Sequence, residues 1–406
     1  MSGLQIVDVA PEGKERFVRT ALNFLAETLE EDEIVGVQAV LDRALLARLD
    51  DDDVGAAAVV DYRLTMPGGG SIPMDGVTWV AVSPDARRRG ALRAMMNHML
   101  ASARQRGIPL LGLGASESMI YRRFGYGIAT RIGQAEIDTV RAAMRVPFTD
   151  RGRVRMQPLD GAVAVWLDID RRKEGQVGWI NRSEASWRRS VATGSRTRGA
   201  MSALRVAVHF DSAGKADGYV NYRVEERWPD ELADGVLHVR ELTALTREGH
   251  LALWHHVLGM DLMAHVRVDR HWLDDPIQHL LLDSRRLVVT ASDDLHLRVV
   301  DVVAALEARR YAREDSIVLE VRDPACADIE GRYRLDGGLD GASASPTDNA
   351  ADLVLDAPSL GAVMLGDTSL ASLHRAGLVD EVTPGAVQRA SAMFSWTPRP
   401  WLNHMF

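Results

Sequence analysis

Gly76-Val-Thr-Trp-Val-Ala-Val-Ser-Pro-Asp-Ala-Arg-Arg-Arg-Gly-Ala-Leu-Arg93 is the stretch on which the fold is read. Val77, Trp79 and the run Val80, Ala81, Val82 read as strand, since such side chains suit a pleated, half-buried surface. Ser83-Pro84-Asp85 is turn chemistry: proline presets φ, and the short polar side chains bond to nearby backbone. Arg87, Arg88, Arg89 and Gly90 then open a segment of high helix propensity over 91–99. A strand feeding a basic, glycine-containing turn at a helix start forms an anion cradle. Free N–H groups and the positive end of the helix dipole face one point. The arginines add charge-assisted bonds to phosphate, and a glycine lets the backbone approach it. The functional reading is pyrophosphate binding. On charge alone an ordinary basic helix start fits equally well.

Working outward, residues 4–9 read as a strand and 11–28 as a helix, with Phe17, Ala21, Phe24 and Leu25 on one face. Residues 30–33 read as an acidic loop. Residues 50–53 form a hairpin tip between strands at 44–49 and 54–64, and Pro67-Gly-Gly-Gly-Ser71 is a turn. Downstream the helix continues over 95–106, and Gly107-Ile-Pro109 starts another strand. The result is an α/β layer.

A second unit begins near Asp150. A helix at 185–190, strands at 204–210, 218–225 and 236–244, and a helix at 251–265 repeat the first order. The turn before this helix, Thr246-Arg-Glu-Gly-His-Leu251, has one arginine where the first has three. A third unit starts near Leu295. It reads as a helix at 299–310, strands at 316–321, 331–335 and 351–355, and helices at 359–365 and 368–376. The Gly-, Ser- and Asp-rich run 337–349 reads as a loop. The weakly charged segment 359–394 suits either the wall of a lipid pocket or plain core, the commoner role of such a pattern.

At 406 residues the chain exceeds one ordinary domain, and two or three are expected. Its net charge of −9 argues against nucleic acid as the main partner, although a local basic patch is compatible with it. The one cysteine, Cys326, allows no intramolecular disulfide and lacks the histidine signature of a nucleophile. The start, Met1-Ser-Gly-Leu-Gln, has neither a charged n-region nor an apolar h-region. No apolar run reaches about 18 residues, so no membrane span and a cytoplasmic location are expected. His250, His255, His256, His265, His271 and His279 match no metal-ligand spacing, and no metal is expected.

Val80-Ala-Val-Ser-Pro…Arg87-Arg-Arg-Gly-Ala-Leu92 resembles the coenzyme A pyrophosphate motif of the GNAT acetyltransferases, with Arg87 and Gly90 matching and Leu92 departing from the usual small residue. Ala115-Ser-Glu-Ser-Met-Ile-Tyr-Arg-Arg-Phe-Gly-Tyr-Gly127 resembles a segment of one subfamily, the "enhanced intracellular survival" (Eis) acetyltransferases. Met66-Pro-Gly-Gly-Gly…Ile72-Pro…Gly76-Val-Thr-Trp79 resembles the hairpin before it. The resemblance extends over the whole chain. It implies an α/β (α+β) architecture of two tandem GNAT-like domains, the second degenerate, followed by a sterol-carrier-protein-like domain. The bounds expected are 1–149 for the catalytic domain, 150–290 for the degenerate one and 291–406 for the third, whose C-terminus reaches the active site. A homo-hexamer is implied as well.

The implied activity is direct acetyl transfer from acetyl-CoA, as cosubstrate, to an amine in a ternary complex. Acceptors implied are aminoglycosides, polyamines or lysine ε-amines. Val80, Ala81, Val82, Arg87, Arg88, Arg89, Gly90, Ala91, Leu92, Arg93, Tyr121 and Arg122 would hold acetyl-CoA. Such transfer needs a base for the amine, a donor for the oxyanion and an acid for the thiolate. Backbone N–H groups near Val80–Val82 suit the donor. Tyr126 is the implied acid, although a phenol at about pKa 10 sits above a thiol at about 8.5 and must be well placed. Residue type alone also allows a buried aromatic. The implied base is the main-chain carboxylate of Phe406, in the apolar ending Arg399-Pro-Trp-Leu-Asn-His-Met-Phe406. A terminus that only packs is the alternative. Met405 stands where the family is often acidic. Phe24, Glu27, Trp79 and Ser116 fall where acceptor contacts are implied; a solvated acidic face, core and a cap are their ordinary readings. Other classes compatible with the sequence are a lipid or sterol carrier and an acyl-CoA-binding sensor, each with a vestigial GNAT domain.

Overall fold

The computed structural model describes residues 3–145, 148–173, 175–191 and 201–406. The chain forms two compact units. One gathers Met1–Arg131, Gly175–Asn181 and Asp293–Phe406; the other gathers Ile132–Glu174 and Arg182–Ser292.

The first unit is built on a seven-stranded sheet. Its early strands are β1 (Leu4–Asp8), β2 (Arg43–Leu49), β3 (Asp52–Thr65), β4 (Ser71–Val82), β5 (Leu110–Gly114) and β6 (Gly127–Ile128). A strand from far downstream, Leu295–Val299, lies between β5 and β6 and pairs antiparallel with both. Helices α1 (Lys14–Leu25) and α2 (Glu31–Val40) cover one face, where Phe17, Val18, Ala21, Ile34 and Val37 pack on Ala44, Leu46, Ala56 and Ala58. Helices α3 (Ala91–Gln105) and α4 (Ser118–Arg122) cover the other, with Met95, Met96 and Met99 against Leu45, Ala57, Val59 and Val77. Alternate β3 residues thus serve opposite cores, as the two-residue period of a strand requires.

The run 30–33 is not a loop. Glu30 and Glu33 cap each other's backbone and start α2. A reciprocal cap satisfies two otherwise orphaned N–H groups, and here Glu replaces the usual Ser or Thr.

The same unit carries a five-stranded sheet in the order Gly341–Pro346, Gly331–Gly338, Asp315–Arg322, Leu353–Asp356, Val379–Glu381. Two expectations fail here. The 337–349 run turns at 339–340 and returns as the edge strand Gly341–Pro346, whose small residues pair with Gly331–Gly338. The helix expected at 299–310 is shortened to Val302–Glu307, because Asp301 caps it by accepting from Ala304 N at 3.0 Å. The residues before Asp301 form the strand Leu295–Val299 instead.

The second unit holds another seven-stranded sheet, from Leu287–Asp293 at one edge through Arg131–Asp138, Met263–His271, Gly235–Ala244, Ala216–Glu225 and Arg205–Phe210 to Arg153–Gln157. Its main helix spans Arg247–Leu258, not 251–265. Gly259 caps it, Leu262 takes φ +66°, and the alternating Met263–His271 run is a strand.

Candidate active site

The slot of the first unit begins at a bulge. Ala56 pairs with Ala81 and Ala58 with Thr78, so Trp79 and Val80 together face Ala57. Trp79 absorbs the bend at φ +54°. Bulges re-aim a strand and end its pairing. β4 and β5 pair only at Met74–Leu110, Asp75–Leu111 and Gly76–Gly112. Beyond that the parallel strands part, and β4 runs on to Val82 with one edge outside the β5 ladder.

At the end of that edge lies the basic turn. Arg88 and Gly90 both take left-handed backbone, at φ +63° and φ +93°, and Gly90 is the N-cap of α3. Such curvature brings successive N–H groups into an anion-binding concavity. Arg87, Arg88, Arg89 and Arg93 are exposed, and none makes an ion pair among the described residues. Ala91 is buried and Leu92 half-buried against the α3 core. The cradle therefore offers unspent charge and free N–H groups together.

Tyr126 lies on the α3 face, 3% exposed, with its ring edge-on to Tyr121 at 6.1 Å. Burial pushes its hydroxyl well above the ordinary phenol range, and the Arg298 charge pulls it partly back. Arg298 comes from the Leu295–Val299 strand, is 1% exposed and pairs with Asp323. Its guanidinium lies so close under Gly125, at φ +86°, that a Cβ there would stand 2.6 Å from Cζ. Glycine is thus required in the Phe-Gly-Tyr-Gly turn on both counts.

The chain end lies on the opposite face. The Phe406 ring meets Tyr62 at 4.8 Å between centroids, and its Cε2 is 2.9 Å from where a Gly76 Cβ would be. Met405 Sδ packs on Gly114. The last two residues thus cover one glycine on each strand bordering the slot. Phe24 and Trp79 share the α1–α2 core on this face, and Val60 touches both that core and the one holding Tyr62 and Phe406. Tyr126 and Phe406 therefore lie on opposite faces of the first sheet.

Other expected residues differ in exposure and partners. Glu27 and Ser116 are exposed, with no side-chain hydrogen bond among the described residues. Arg122 pairs with Asp356 at 2.7 Å, and Tyr121 is buried core. Charges beside Phe24 are mutually spent: Arg16 holds Asp53 at 2.6 Å, and Arg19 holds Glu31 at 2.8 Å. Tyr62, Gly76, Gly114, Arg298 and the 175–181 segment were not marked by sequence reasoning. Only the small residues alternating in β5 hinted at a close approach.

The matching turn of the second unit is closed by its own side chains. Thr246 caps the helix by accepting from Gly249 N at 3.0 Å and donates to Asp217 at 2.5 Å. His209, fully buried, bonds Asp217 and Asp150. Arg240 and Asp269 form an ion pair just past Val239–Val268, the last pairing of their two strands. In the third domain, buried Arg309 donates to the carbonyls of Val363, Met364 and Phe394 at 2.8–2.9 Å and stacks by Tyr311. Burial lowers its pKa to about 10, against Tyr311. Within the 359–394 segment, residues 359–365 are buried, whereas 374–378 and 380–385 are exposed.

Residues 4–129 match the family model of a GNAT acetyltransferase domain, 178–299 a second such model, and 302–403 that of a sterol carrier protein domain. The fold and site define a GNAT acetyltransferase, a class that uses acetyl-CoA. An N-acetyltransferase of Streptomyces avermitilis, itself uncharacterized, is 39% identical over 391 residues, covering 95% of each chain. The N-acetyltransferase Eis of Mycobacterium tuberculosis is 34% identical over 351 residues, covering 84% of this chain and 83% of its own. The crystal structure of Eis1 from Mycobacterium abscessus superposes with a TM-score of 0.86 at 30% identity, covering 100% of both chains. The chain belongs to the Eis family of GNAT N-acetyltransferases. No helix among the described residues is long and apolar enough to cross a membrane.

Proposed function

We propose that this acetyltransferase moves acetyl directly from acetyl-CoA to an amine held in the same complex, with the slot between β4 and β5 as the reaction site. The observation that carries the reading is that Tyr126 packs in the core on the α3 face of the first sheet while the Phe406 ring packs against Tyr62 on the other face. Acetyl-CoA supplies the activated thioester. Arg87, Arg88, Arg89 and Arg93, with the N–H groups around Gly90 and Ala91, take the pyrophosphate. The free edge of β4 along the run Val80, Ala81, Val82 offers a backbone N–H donor to the thioester oxygen. The Phe406 carboxylate accepts the amine proton. Tyr126, held protonated by burial, donates to the departing sulfur. Phe24, Trp79 and Tyr62 line the acceptor side. Acceptors proposed are aminoglycosides, polyamines or lysine ε-amines, and the assembly proposed is a homo-hexamer in the cytoplasm. The closed turn of the second unit supports confining acetyl-CoA to the first.

The test extends the chain by Gly-Ser, which converts the Phe406 carboxylate to an amide. Amine acetylation should collapse while acetyl-CoA binding persists. Full turnover in the extended protein refutes Phe406 as base. A panel of amines followed by thiol release separates the enzyme from a non-catalytic acyl-CoA sensor.

A further inference from the structure

Asn403 stands three residues before Phe406 and is 4% exposed. A buried amide must satisfy both its donor and its acceptor. Asn403 does both on one residue. Ile180 N donates to its Oδ1 at 2.9 Å, and its Nδ2 donates to Ile180 O at 3.1 Å. The side chain thus imitates a strand paired with the segment Gly175–Asn181. The other side of that segment is sewn to β3. Thr65 N donates to Trp179 O at 2.8 Å, Gly178 N to Thr65 O at 2.9 Å, and Leu64 bridges Ile180. Trp401 N adds a bond to Val177 O at 2.8 Å. β3 also carries Tyr62, against which the Phe406 ring rests. The tail is therefore registered to one strand twice, through the segment and through the ring.

We propose that Asn403 is a positioning residue for catalysis: its two-bond clamp on Ile180 sets where the Phe406 carboxylate stands at the slot. The proposal rests on the reading of Phe406 as base. Three residues span at most about 10–11 Å, so the clamp lies close enough along the chain to help set where the carboxylate stands. A base must stand within about 2.6–3.2 Å of its proton or one water away. A displacement near 1 Å costs about 10²-fold.

The experiment is a cycle of Asn403→Ala with the Gly-Ser extension, read as kcat and as KM for acetyl-CoA on the full chain. Asn403→Ala should lower kcat about 10- to 100-fold and leave that KM unchanged. In the extended protein, whose carboxylate is already gone, it should lower kcat no further. Asn403→Gln keeps both the donor and the acceptor of the amide toward Ile180. It should lose less than Asn403→Ala, and it decides the matter if the alanine variant does not fold. Losses that multiply in the double variant overturn the proposal, because Asn403 then acts elsewhere than on the carboxylate. A crippled extended protein beside a fully active Asn403→Ala refutes the clamp alone. An extended protein with full turnover refutes the base reading and the clamp with it.

Discussion

Gly76→Ala tests whether the chain end is part of the machinery. The backbone there needs no left-handed angle, so the effect is steric. An added Cβ would stand 2.6 Å from two carbons of the Tyr62 ring and 2.9 Å from Phe406 Cε2. Ordinary contact begins at 3.4 Å, so Phe406 must retreat by 3.4 − 2.9, or about 0.5 Å, and more once Tyr62 is also relieved. Tyr62 is 7% exposed on a central strand, whereas Phe406 is a half-buried last residue. The tail is the softer partner and gives way. With about 10²-fold lost per ångström of misplacement, kcat should fall about 10- to 100-fold. KM for acetyl-CoA should move less than about twofold. Overpacking should cost about 1–3 kcal/mol of stability, read by thermal denaturation. Gly112→Ala is the matched control. Its Cβ would meet Met74 Sδ at 2.6 Å and Leu295 Cδ1 at 3.1 Å as its nearest neighbours. Equal kcat losses in the two variants, or normal turnover in folded Gly76→Ala, would refute the argument from the tail.

Arg88→Ala with Gly90→Asp should raise KM for acetyl-CoA, since each charge-assisted bond is worth about 1.5–3 kcal/mol; unchanged affinity in the folded double variant removes the phosphate assignment. Tyr126→Phe keeps the packing and removes only the hydroxyl, so turnover should drop about 10²–10⁴-fold with acetyl-CoA binding intact; near-normal turnover makes Tyr126 structural. His209 carries a pH dependence of the second unit. Burial works against its charge, but hydrogen bonds to Asp217 and Asp150 prevail and raise its pKa. The stabilisation is complete below the unfolded value of about 6.5 and is lost as pH rises through the folded one. Denaturant midpoints should therefore fall on the alkaline side of neutrality, and Asp217→Asn should flatten that slope; an unchanged slope in the variant defeats the assignment.

Most of the first sheet was legible because its signals are local. The hairpin tip near Asp50, the Pro67 turn and the basic start of α3 each depend on residues adjacent in sequence. What escaped depends on pairing. Ala342, Ser343, Ala344 and Ser345 have loop composition, and only the neighbouring strand makes them a strand. The run 295–299 lies beside a helical pattern and becomes a strand because β5 and β6 offer it edges. At the site, the cradle was legible as spacing, whereas the bulge at Trp79 is a register shift that leaves no mark in residue type. Glu27 and Ser116 were marked by position and lie exposed. Tyr62, Gly76 and Arg298 act by close approach, which no local pattern encodes.

The late strand also ties the first sheet to residues far downstream in the chain. β6 has its ladder partner only in Leu295–Val299, through His296–Ile128 and Leu297–Gly127. Tyr126 immediately precedes β6, so its backbone is fixed by a strand that lies beyond the whole second unit in sequence. The same strand sets Arg298 under Gly125, and Asp323 of the following domain balances that buried charge. A lone guanidinium there would be costly, because a buried charge without its partner loses solvation with nothing in return. Residues 1–131 alone would keep the cradle, whose turn and helix are local. They would lack the partner of β6, the counter-charge beneath the tyrosine turn and the tail beside Gly76. The proposed nucleotide cradle is thus encoded locally. The placement of the proposed acid and base is encoded by the chain returning twice to its first sheet, once with Leu295–Val299 and once with Phe406.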